Sequence, residues 1–246
     1  MGTVLVTGSS GGLGSAATRA FMAAGFDVIG VDRTAPAANP GYRYFQADVT
    51  DEGAVQQALE RVGPLKHVLA VAGGALANEK TAPDAAVISI DLLKQSLEQN
   101  LISAFVTLKA TLPKLRLASG DRSITFVSST DALLSYGLPA YAAAKAGIIG
   151  LVHSMASPFG KEGIRINAVA PGDVPTERNA REWAHLPHWY EDLAAATALR
   201  RLCTPEELGD AFVSVATQLR GMTGQVIVVD AGLTVAAAGN TAVPQV

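Results

Sequence analysis

Seven short runs rich in apolar and β-branched residues recur along the chain, with stretches of helical length between them. The runs occupy residues 3–7, 27–31, 43–47, 67–71, 123–127, 165–169 and 225–229. They are almost continuously apolar rather than alternating, which is typical of strands covered on both faces, and connections of helical length favour parallel neighbours. The pattern therefore predicts an α/β fold in which helices cover both faces of a doubly wound, mostly parallel sheet of seven strands.

The segments between the runs indicate where helices lie and how the chain is divided. Helical patterns occupy residues 12–24, 51–61, 92–117, 139–155 and 205–217, the last of them behind a Thr204 N-cap. No linker or break in composition interrupts the chain, so we expect a single domain over residues 1–246. Residues 172–203, which are irregular up to Leu199 and contain both tryptophans, predict a segment that covers the substrate. Residues 234–246 predict a loose tail or a subunit contact.

The composition excludes several classes of partner. Of the 246 residues, 49% are hydrophobic and 17% are charged, and the formal net charge is −3. The chain has no run of like charges that would bind nucleic acid or an anionic membrane, and no apolar stretch reaches the ~18 residues of a membrane span. A single cysteine, Cys203, and an amino terminus without signal-peptide features favour a cytoplasmic protein. No metal is expected, because the four histidines of the chain are not spaced like metal ligands. They are His67, His153, His185 and His188.

A glycine-rich turn follows the first predicted strand, where residues 7–14 read TGSSGGLG and a helical pattern begins at once. Glycine permits a tight turn and a close approach of backbone amides to a ligand, and a helix N-terminus carries a positive partial charge. The cluster alone fits equally well a strand-to-helix turn that needs positive φ. The strand before it and the helix after it shift the interpretation towards a site for a dinucleotide pyrophosphate.

Two acidic residues at the ends of the next predicted strands complete a candidate cofactor site. Asp32 ends the second strand, where a carboxylate would bind the adenosine ribose hydroxyls and repel a 2′-phosphate. This favours NAD over NADP, although the neighbouring Arg33 could partly offset the repulsion, and a solvated aspartate at a strand end is the alternative. Asp48 and Val49 follow the third strand and would contact the adenine, unless Asp48 only begins the next helix.

Tyr141 and Lys145 lie four residues apart in a predicted helix and therefore share one face. An ammonium beside a phenol, together with an oxidised nicotinamide, would lower the pKa of the tyrosine from about 10 towards the working pH. Tyrosine would then act as a general acid or base. The alternative is a surface pair in which the lysine is simply solvated. The fifth predicted strand ends in Ser128 and Ser129 just before this helix, and a hydroxyl there would bind the same substrate oxygen as Tyr141.

Taken together, the glycines spaced TGxxxGxG, the serine at a strand end and the YxxxK pair resemble the short-chain dehydrogenase/reductase family over nearly the whole chain. Further matches follow in the family's order: Asp48-Val49, Ala72-Gly73, Asn100, Asn167, Pro171-Gly172, Thr176 and Thr223-Gly224-Gln225. The resemblance implies a Rossmann-like fold, a small-molecule substrate and a homotetramer. It also favours NAD over NADP, because Ser10-Gly11 stands where NADP-preferring members often carry a basic residue.

The resemblance assigns roles to particular residues. It implies that the catalytic residues are Asn100, Ser129, Tyr141 and Lys145. Tyr141 would be the acid or base, Ser129 would orient the substrate oxygen, Lys145 would lower the pKa of Tyr141, and Asn100 would hold a water of a proton relay. The family's commoner spacing, counted back from Tyr141, gives Ser128 as the alternative to Ser129. The implied cofactor-binding residues are Gly8, Ser10, Gly12, Leu13, Gly14, Asp32, Arg33, Asp48, Val49, Ala72, Gly73, Tyr141, Lys145, Pro171, Gly172, Val174 and Thr176.

These assignments predict an NAD(H)-dependent oxidoreductase that moves a hydride between the nicotinamide and the carbon of a secondary alcohol or ketone. The covering segment contains a cluster of aromatic and imidazole side chains: Trp183, His185, His188, Trp189 and Tyr190. These rings would suit an apolar or ring-bearing substrate. The alternative is that they pack against one another in a core of their own. The alternatives are an NADPH-dependent ketone reductase, a non-catalytic dinucleotide-sensing protein, and halide-expelling epoxide chemistry on the same scaffold.

Overall fold

The computed structural model describes residues 2–36, 40–79, 85–134, 138–184, 186 and 188–237. Within these ranges the strands are β1 (Thr3–Thr7), β2 (Asp27–Asp32), β3 (Arg43–Gln46), β4 (His67–Ala70), β5 (Arg122–Val127), β6 (Ile164–Pro171) and β7 (Val226–Val229). They form one sheet in the order β3-β2-β1-β4-β5-β6-β7, and every neighbouring pair is parallel. The predicted seven-stranded fold is confirmed, and the sheet is entirely rather than mostly parallel.

The helices are α1 (Gly12–Ala23), α2 (Glu52–Leu59), α3 (Ile90–Leu97), α4 (Ser103–Leu117), α5 (Pro139–Gly160), α6 (Glu177–Glu182), α7 (Trp189–Ala196), α8 (Pro205–Val213) and α9 (Leu233–Ala237). A π-helical turn, Glu98–Ile102, joins α3 to α4, and another, Ser214–Gln218, follows α8. The predicted Thr204 cap is present. Thr204 accepts a hydrogen bond from the Glu207 amide and donates its own amide to the Glu207 carboxylate, so α8 begins with a complete capping box.

Helices cover both faces of the sheet because successive strand residues point to opposite sides. In β1, Leu5 packs into the core on one side, whereas Val4 and Val6 pack into the core on the other. The first core contains apolar residues of α2, α4 and α5, and the second contains those of α1 and α8. The chain order reverses between β1 and β4, which leaves a crevice at the carboxyl ends of these strands.

The structure differs from several of the predicted elements. The helix predicted over residues 92–117 is divided by the π-turn Glu98–Ile102. Helix α5 continues through Pro158 to Gly160; the fixed φ of the proline is compatible with the helix, although its missing N–H costs one backbone hydrogen bond. The irregular part of residues 172–203 contains α6 and α7, and the predicted tail begins with the last residues of α9. The rest of that tail, residues 238–246, lies outside the described residues.

Among the described residues, no helix is both long and apolar enough to cross a membrane. The same part of the chain contains no group of three or more His, Cys, Asp and Glu side chains that could hold a metal ion. His67 is buried in β4 with its Nδ1 2.9 Å from the Ser123 hydroxyl, and His185 lies outside the described residues.

Candidate active site

A cavity of about 500 Å³ opens at the carboxyl ends of the strands, where the chain order reverses. Open parallel sheets bind ligands at such switch points. Every predicted cofactor-binding residue contributes to the wall of this cavity, and so do both candidate serines, Ser128 and Ser129. Asn100 is completely buried. The structure therefore brings the glycine turn and the Tyr141–Lys145 pair to one continuous site.

Close backbone contacts shape the glycine turn. Gly8 has a φ of +69°, and its carbonyl accepts a hydrogen bond from the Gly11 amide at 3.1 Å. A Cβ on Gly14 would lie 1.9 Å from the Gly8 oxygen, and a Cβ on Gly12 would lie 2.6 Å from Cγ2 of Thr176. No side chain caps the first turn of α1, whose N-cap is Gly11. The turn therefore fits an anionic group, which the helix amides would bind.

Asp32 fixes the chain beside the glycine turn. Its Oδ2 accepts a hydrogen bond from the Ser10 amide at 3.0 Å, and its Oδ1 accepts one from the Thr34 amide at 2.9 Å. The Ser10 hydroxyl also donates to the Thr34 carbonyl at 2.8 Å. Asp32 is thus held in the cavity wall and is not a freely solvated strand end. Each carboxylate oxygen has a second lone pair with which it can accept a hydrogen bond from a ribose hydroxyl.

Asp48 forms a turn in the same wall. Its Oδ1 accepts hydrogen bonds from the amide and the hydroxyl of Thr50 at 2.9 and 2.8 Å. These bonds, the amide's above all, hold the pKa of Asp48 below its usual range. Helix α2 begins at a different residue, Asp51, whose carboxylate accepts from the Ala54 amide at 3.0 Å. Asp48 therefore does not start the helix, and Val49 is buried next to it.

The end of β5 and the start of α5 bring the predicted chemical groups together. The Ser129 hydroxyl is hydrogen-bonded to the Tyr141 side chain, and the Lys145 Nζ lies 5.4 Å from the centre of the Tyr141 ring. Lys145 is buried and donates from Nζ to the Val127 carbonyl at 2.9 Å. Ser128 faces the helix backbone, where its hydroxyl donates to the Lys145 carbonyl at 2.9 Å. Of the two serines, Ser129 is the one whose hydroxyl contacts Tyr141.

Asn100 lies in the middle of the π-turn Glu98–Ile102. Its Oδ1 accepts a hydrogen bond from the Gly74 amide at 2.8 Å, and its Nδ2 donates to the Ser96 carbonyl at 3.0 Å. A Cβ on Gly73 would lie 2.5 Å from the Asn100 Oδ1 and 3.5 Å from the Lys145 Nζ, and Gly73 has a φ of +142°. Asn100 therefore holds a glycine turn against Lys145. Its position in a π-turn is typical of functional sites, where such turns are frequent.

Burial controls the protonation of the two central groups. It raises the pKa of the Tyr141 hydroxyl, Asp131 acts in the same direction, and the hydrogen bond with Ser129 opposes both. Burial also lowers the pKa of Lys145 to about 8, against the attraction of Asp131. In the protein by itself, the desolvation of a phenolate thus outweighs the influences that favour it. That Lys145 lowers the pKa of Tyr141 when an oxidised nicotinamide is bound stays a prediction.

The loop after β6 forms the wall opposite α5. The Gly172 amide donates to the Val229 carbonyl at 3.1 Å, which ties the loop to β7. Thr176 caps α6 by accepting a hydrogen bond from the Asn179 amide at 3.2 Å, and the Asn179 Nδ2 donates to the Val174 carbonyl at 2.9 Å. These contacts place Val174 and Thr176 beside the glycine turn, within the cavity wall.

The sequence predictions missed a group of polar residues in the cavity wall: Gln99, Asp131, Asp173, Arg178 and Glu182. The Asp131 Oδ1 accepts a hydrogen bond from the Ser129 hydroxyl at 3.3 Å. Burial, followed by the charge of Asp173, raises the pKa of Asp131 to about 7. A signal for both aspartates was present in the sequence. Each lies two residues after a strand-end residue assigned to the site, and such ends converge in a parallel sheet.

The aromatic residues of the covering segment pack mainly against one another. The Trp183 and Trp189 rings stack at 4.9 Å with an interplanar angle of 20°, and with Leu193 they form a separate core. His188 is exposed and has a φ of +66°. The structure therefore favours the self-packed alternative for this cluster, in which Trp183 is the ring that borders the cavity.

Known proteins resemble this chain over nearly its whole length. A family model described as enoyl-(acyl carrier protein) reductase matches residues 8–234. A probable galactose dehydrogenase of Rhizobium meliloti is 31% identical over 243 residues, which cover 94% of each chain. An oxidoreductase structure of the short-chain dehydrogenase/reductase family from Burkholderia thailandensis has a TM-score of 0.85 and 30% identity, covering 95% of this chain and 92% of that one. The aldohexose dehydrogenase of Thermoplasma acidophilum has a TM-score of 0.85 and 25% identity, covering 95% and 94%.

The parallel sheet, the cavity at its switch point and these matches define an oxidoreductase that uses a nicotinamide dinucleotide, either NAD or NADP. The chain belongs to the short-chain dehydrogenase/reductase family. The resemblance seen in the sequence is thereby confirmed, and the fold agrees with that of the structural relatives.

Proposed function

We propose that this protein is an NAD(H)-dependent dehydrogenase that transfers a hydride between the nicotinamide and the carbon of a secondary alcohol or ketone. The observation that carries the proposal is the contact of Ser129 with Tyr141, with the Lys145 ammonium 5.4 Å from the tyrosine ring. The glycine turn forms the other end of the same cavity. The names of two similar proteins, a galactose and an aldohexose dehydrogenase, support oxidation of a hydroxyl-bearing carbon.

In the oxidation direction, the substrate hydroxyl lies between Ser129 and Tyr141. Tyr141 as phenolate takes the hydroxyl proton while the hydrogen on the same carbon leaves as hydride. A bound NAD supplies the acceptor of that hydride. The Ser129 hydroxyl, which otherwise donates to the Asp131 carboxylate, would turn to donate to the substrate oxygen as that oxygen becomes a carbonyl. Reduction reverses each step. Burial raises the pKa of Tyr141 in the protein by itself. The positive charges of Lys145 and of a bound, oxidised nicotinamide would oppose this effect.

Asn100 and Lys145 supply the route by which the proton leaves the site. Asn100 holds the Gly73–Gly74 turn beside the Lys145 ammonium. A water retained behind this ammonium would connect Tyr141 to solvent, which is the relay that the family resemblance implies. The lowered pKa of Lys145, about 8, lets the lysine release a proton near neutral pH.

Asp32 supports NAD as the preferred dinucleotide. Its carboxylate is fixed by the amides of Ser10 and Thr34 and would accept hydrogen bonds from the adenosine ribose, whereas a 2′-phosphate would be repelled. Ser10 itself offers no positive charge to that phosphate. The alternative is an NADPH-dependent ketone reductase. It would depend on Arg33, which is exposed in the same wall and carries a positive charge that could bind a 2′-phosphate.

The test is an assay of the purified protein with NAD and with NADP against secondary alcohols, together with a fluorescence titration of NADH and NADPH. We expect NADH formation, and tighter binding of NADH than of NADPH. Dinucleotide binding without turnover of any alcohol or ketone would support a non-catalytic dinucleotide-sensing protein. Halide release from a haloalcohol without dinucleotide binding would support epoxide chemistry.

We also propose that residues 1–246 fold as one domain, in which residues 172–203 cover the substrate, and that four copies assemble. Ile102, the last residue of the π-turn, and Phe105, in the first turn of α4, are exposed apolar residues. Residues 142–150 of α5 are rich in alanine and glycine, which permits close helix contacts between copies. Light scattering tests the assembly, and the mass of a single chain would contradict it. The single, buried cysteine supports a cytoplasmic location.

A further inference from the structure

The carboxyl group of Asp131 lies next to the groups that would bind the reacting oxygen. Asp131 belongs to a short 3₁₀ turn, Thr130–Ala132, directly after β5. Its Oδ1 accepts a hydrogen bond from the Ser129 hydroxyl at 3.3 Å, and its amide donates to the same hydroxyl oxygen at 3.2 Å. The charge of Asp131 also acts on Tyr141. A substrate held by Ser129 and Tyr141 therefore lies within reach of this carboxylate.

The charged groups around Asp131 make this end of the cavity acidic. Asp173, from the loop after β6, and Glu79, from the loop after β4, both raise the pKa of Asp131, whereas Lys145 of α5 lowers it. Glu79 is completely buried and accepts a hydrogen bond from the Tyr141 amide. Lys145 is the cation that acts on Asp131, and its Nζ already donates to the Val127 carbonyl.

The nearby guanidinium of Arg178 is engaged elsewhere. Its Nε donates to the Glu182 carboxylate at 2.9 Å, and its Nη2 donates to the Ala75 carbonyl. Arg178 is therefore paired with a carboxylate of its own, four residues along the same helix. The positive charge of Arg178 lowers the pKa of Tyr141, but the Glu182 carboxylate balances this charge and so weakens its attraction for an anionic substrate.

We propose that Asp131 recognises the substrate by accepting a hydrogen bond from a second hydroxyl, next to the carbon that is oxidised. The substrate class is then a neutral polyhydroxylated compound, such as a sugar or polyol. This inference rests on the proposed dehydrogenase function and adds the recognition of the neighbouring hydroxyl.

The chemistry of the wall supports a hydroxyl over the alternatives. A carboxylate accepts hydrogen bonds and donates none, so it matches a hydroxyl and repels another carboxylate or a phosphate. A hydrogen bond to a charged acceptor in a half-buried site changes affinity by about 10- to 100-fold. An apolar substituent at the same place would leave the Asp131 carboxylate desolvated without a donor, which disfavours binding.

Binding to the NADH-saturated protein tests the proposal without turnover, because an alcohol with NADH forms an unreactive complex. Isothermal titration calorimetry would compare three ring compounds that differ at one position: cyclohexane-1,2-diol, cyclohexanol and 2-hydroxycyclohexanecarboxylate. The proteins are the wild type, Asp131→Asn, Asp131→Ala and the control Asp210→Asn. Asp210 is an exposed aspartate of α8 that lies outside the cavity wall. Asp131→Asn keeps the side-chain shape and the backbone hydrogen bond to Ser129.

At a pH above 7, where Asp131 is ionised, we expect the wild type and Asp210→Asn to bind the diol about 10-fold or more tighter than cyclohexanol. The carboxylate compound should bind weakest of the three. Asp131→Ala should bind the diol and cyclohexanol about equally. Asp131→Asn should reduce the preference for the diol and strengthen binding of the carboxylate compound. Lowering the pH to about 6 should reduce the preference in the wild type and leave that of Asp131→Asn unchanged.

Equal binding of diol and cyclohexanol by the wild type would overturn the proposal, as would a diol preference that survives in Asp131→Ala. A kinetic assay of the same diol with NAD separates this result from the proposed function. If the diol binds through Asp131 but no NADH forms, the recognition stands and the dehydrogenase function fails. If cyclohexanol is oxidised as efficiently as the diol by the wild type and by Asp131→Ala, the dehydrogenase function stands and the recognition fails.

Discussion

Buried ionisable groups are paired with opposite charges at one end of the parallel sheet and not at the other. At the amino ends of the strands, Arg165 of β6 binds Asp121 through two hydrogen bonds of 2.9 and 3.1 Å and also donates to the Ala216 carbonyl at 2.6 Å. His67 of β4 is kept neutral there, because burial lowers its pKa to about 4. At this end, the buried charge of Arg165 has a partner of opposite charge, and the neighbouring imidazole is uncharged.

At the carboxyl ends, the corresponding groups have no such pairing with one another. Asp131 and Tyr141 have raised pKa values and Lys145 has a lowered one, in each case mainly because of burial. Lys145 donates to a carbonyl rather than to a carboxylate. The first end is thus built to stabilise the fold, whereas burial at the second favours the uncharged forms of Asp131, Tyr141 and Lys145, and perturbed pKa values of this kind cluster at functional sites.

The largest expected effect belongs to Tyr141→Phe. Removal of the hydroxyl that would transfer the proton should lower kcat by about 10²- to 10⁴-fold. Because the ring and its contacts remain, the affinity for NADH should change by only a few-fold. Steady-state kinetics and NADH fluorescence titration measure the two quantities. Turnover close to that of the wild type would show that another group is the acid.

At the opposite end of the sheet, Arg165→Met should act on stability and not on chemistry. The substitution leaves Asp121 without its cation and several carbonyls without a donor, so the free energy of unfolding should fall by about 2–3 kcal/mol. Urea unfolding measures the loss, and kcat at saturating substrate should stay at the wild-type value. A stable variant with impaired kcat would break the distinction between the two ends.

His67 should make the protein less stable in mild acid. The pKa is about 4 in the folded protein against 6.5 for an ordinary histidine, so below pH 6.5 the unfolded chain binds a proton that the folded protein excludes. Stability should therefore fall as the pH drops through this window, by about 1.5 kcal/mol between pH 6.5 and about pH 5. The control is His67→Asn, which does not titrate. Urea midpoints that decline equally in both proteins would contradict the assignment to His67.

The smallest expected effect concerns the choice of dinucleotide. Asp32→Asn keeps an acceptor for the Ser10 amide but removes the charge that would repel a 2′-phosphate. The ratio of kcat/KM for NAD to that for NADP should fall by about 10-fold. Arg33→Gln should move the ratio in the opposite direction, because it removes a cation from the same wall. An unchanged ratio in Asp32→Asn would remove Asp32 from the determinants of specificity.

The features that the sequence predicted well are those encoded over short distances. The glycine turn could be located because a strand and a helix directly flank it, and the structure shows that Gly14 touches the backbone of Gly8. Tyr141 and Lys145 could be paired because four residues are one helical turn. The seven strands were found because a strand buried on both faces is apolar throughout.

The features that the sequence did not predict depend on residues from distant segments. The acidic wall combines Asp131 after β5, Asp173 after β6 and Glu79 after β4, and only the folded sheet places them side by side. The raised pKa of Tyr141 in the protein by itself was not predicted for a similar reason. Spacing showed the neighbouring ammonium, but the extent of burial depends on the whole cavity. The site residues and their roles remain predictions that the experiments above would test.

The π-turn Glu98–Ile102 has a consequence for how this region can change. An α-helix turns by about 100° per residue. The wider π-turn therefore changes the direction, about the helix axis, in which the side chains of α4 point relative to those of α3. Losing one residue here would restore a regular helix and rotate Asn100 away from the glycine turn that it holds. The flanking helices would still form, so the damage would appear as a misplaced amide and not as an unfolded chain. Length variation in this stretch is therefore restricted by angular geometry.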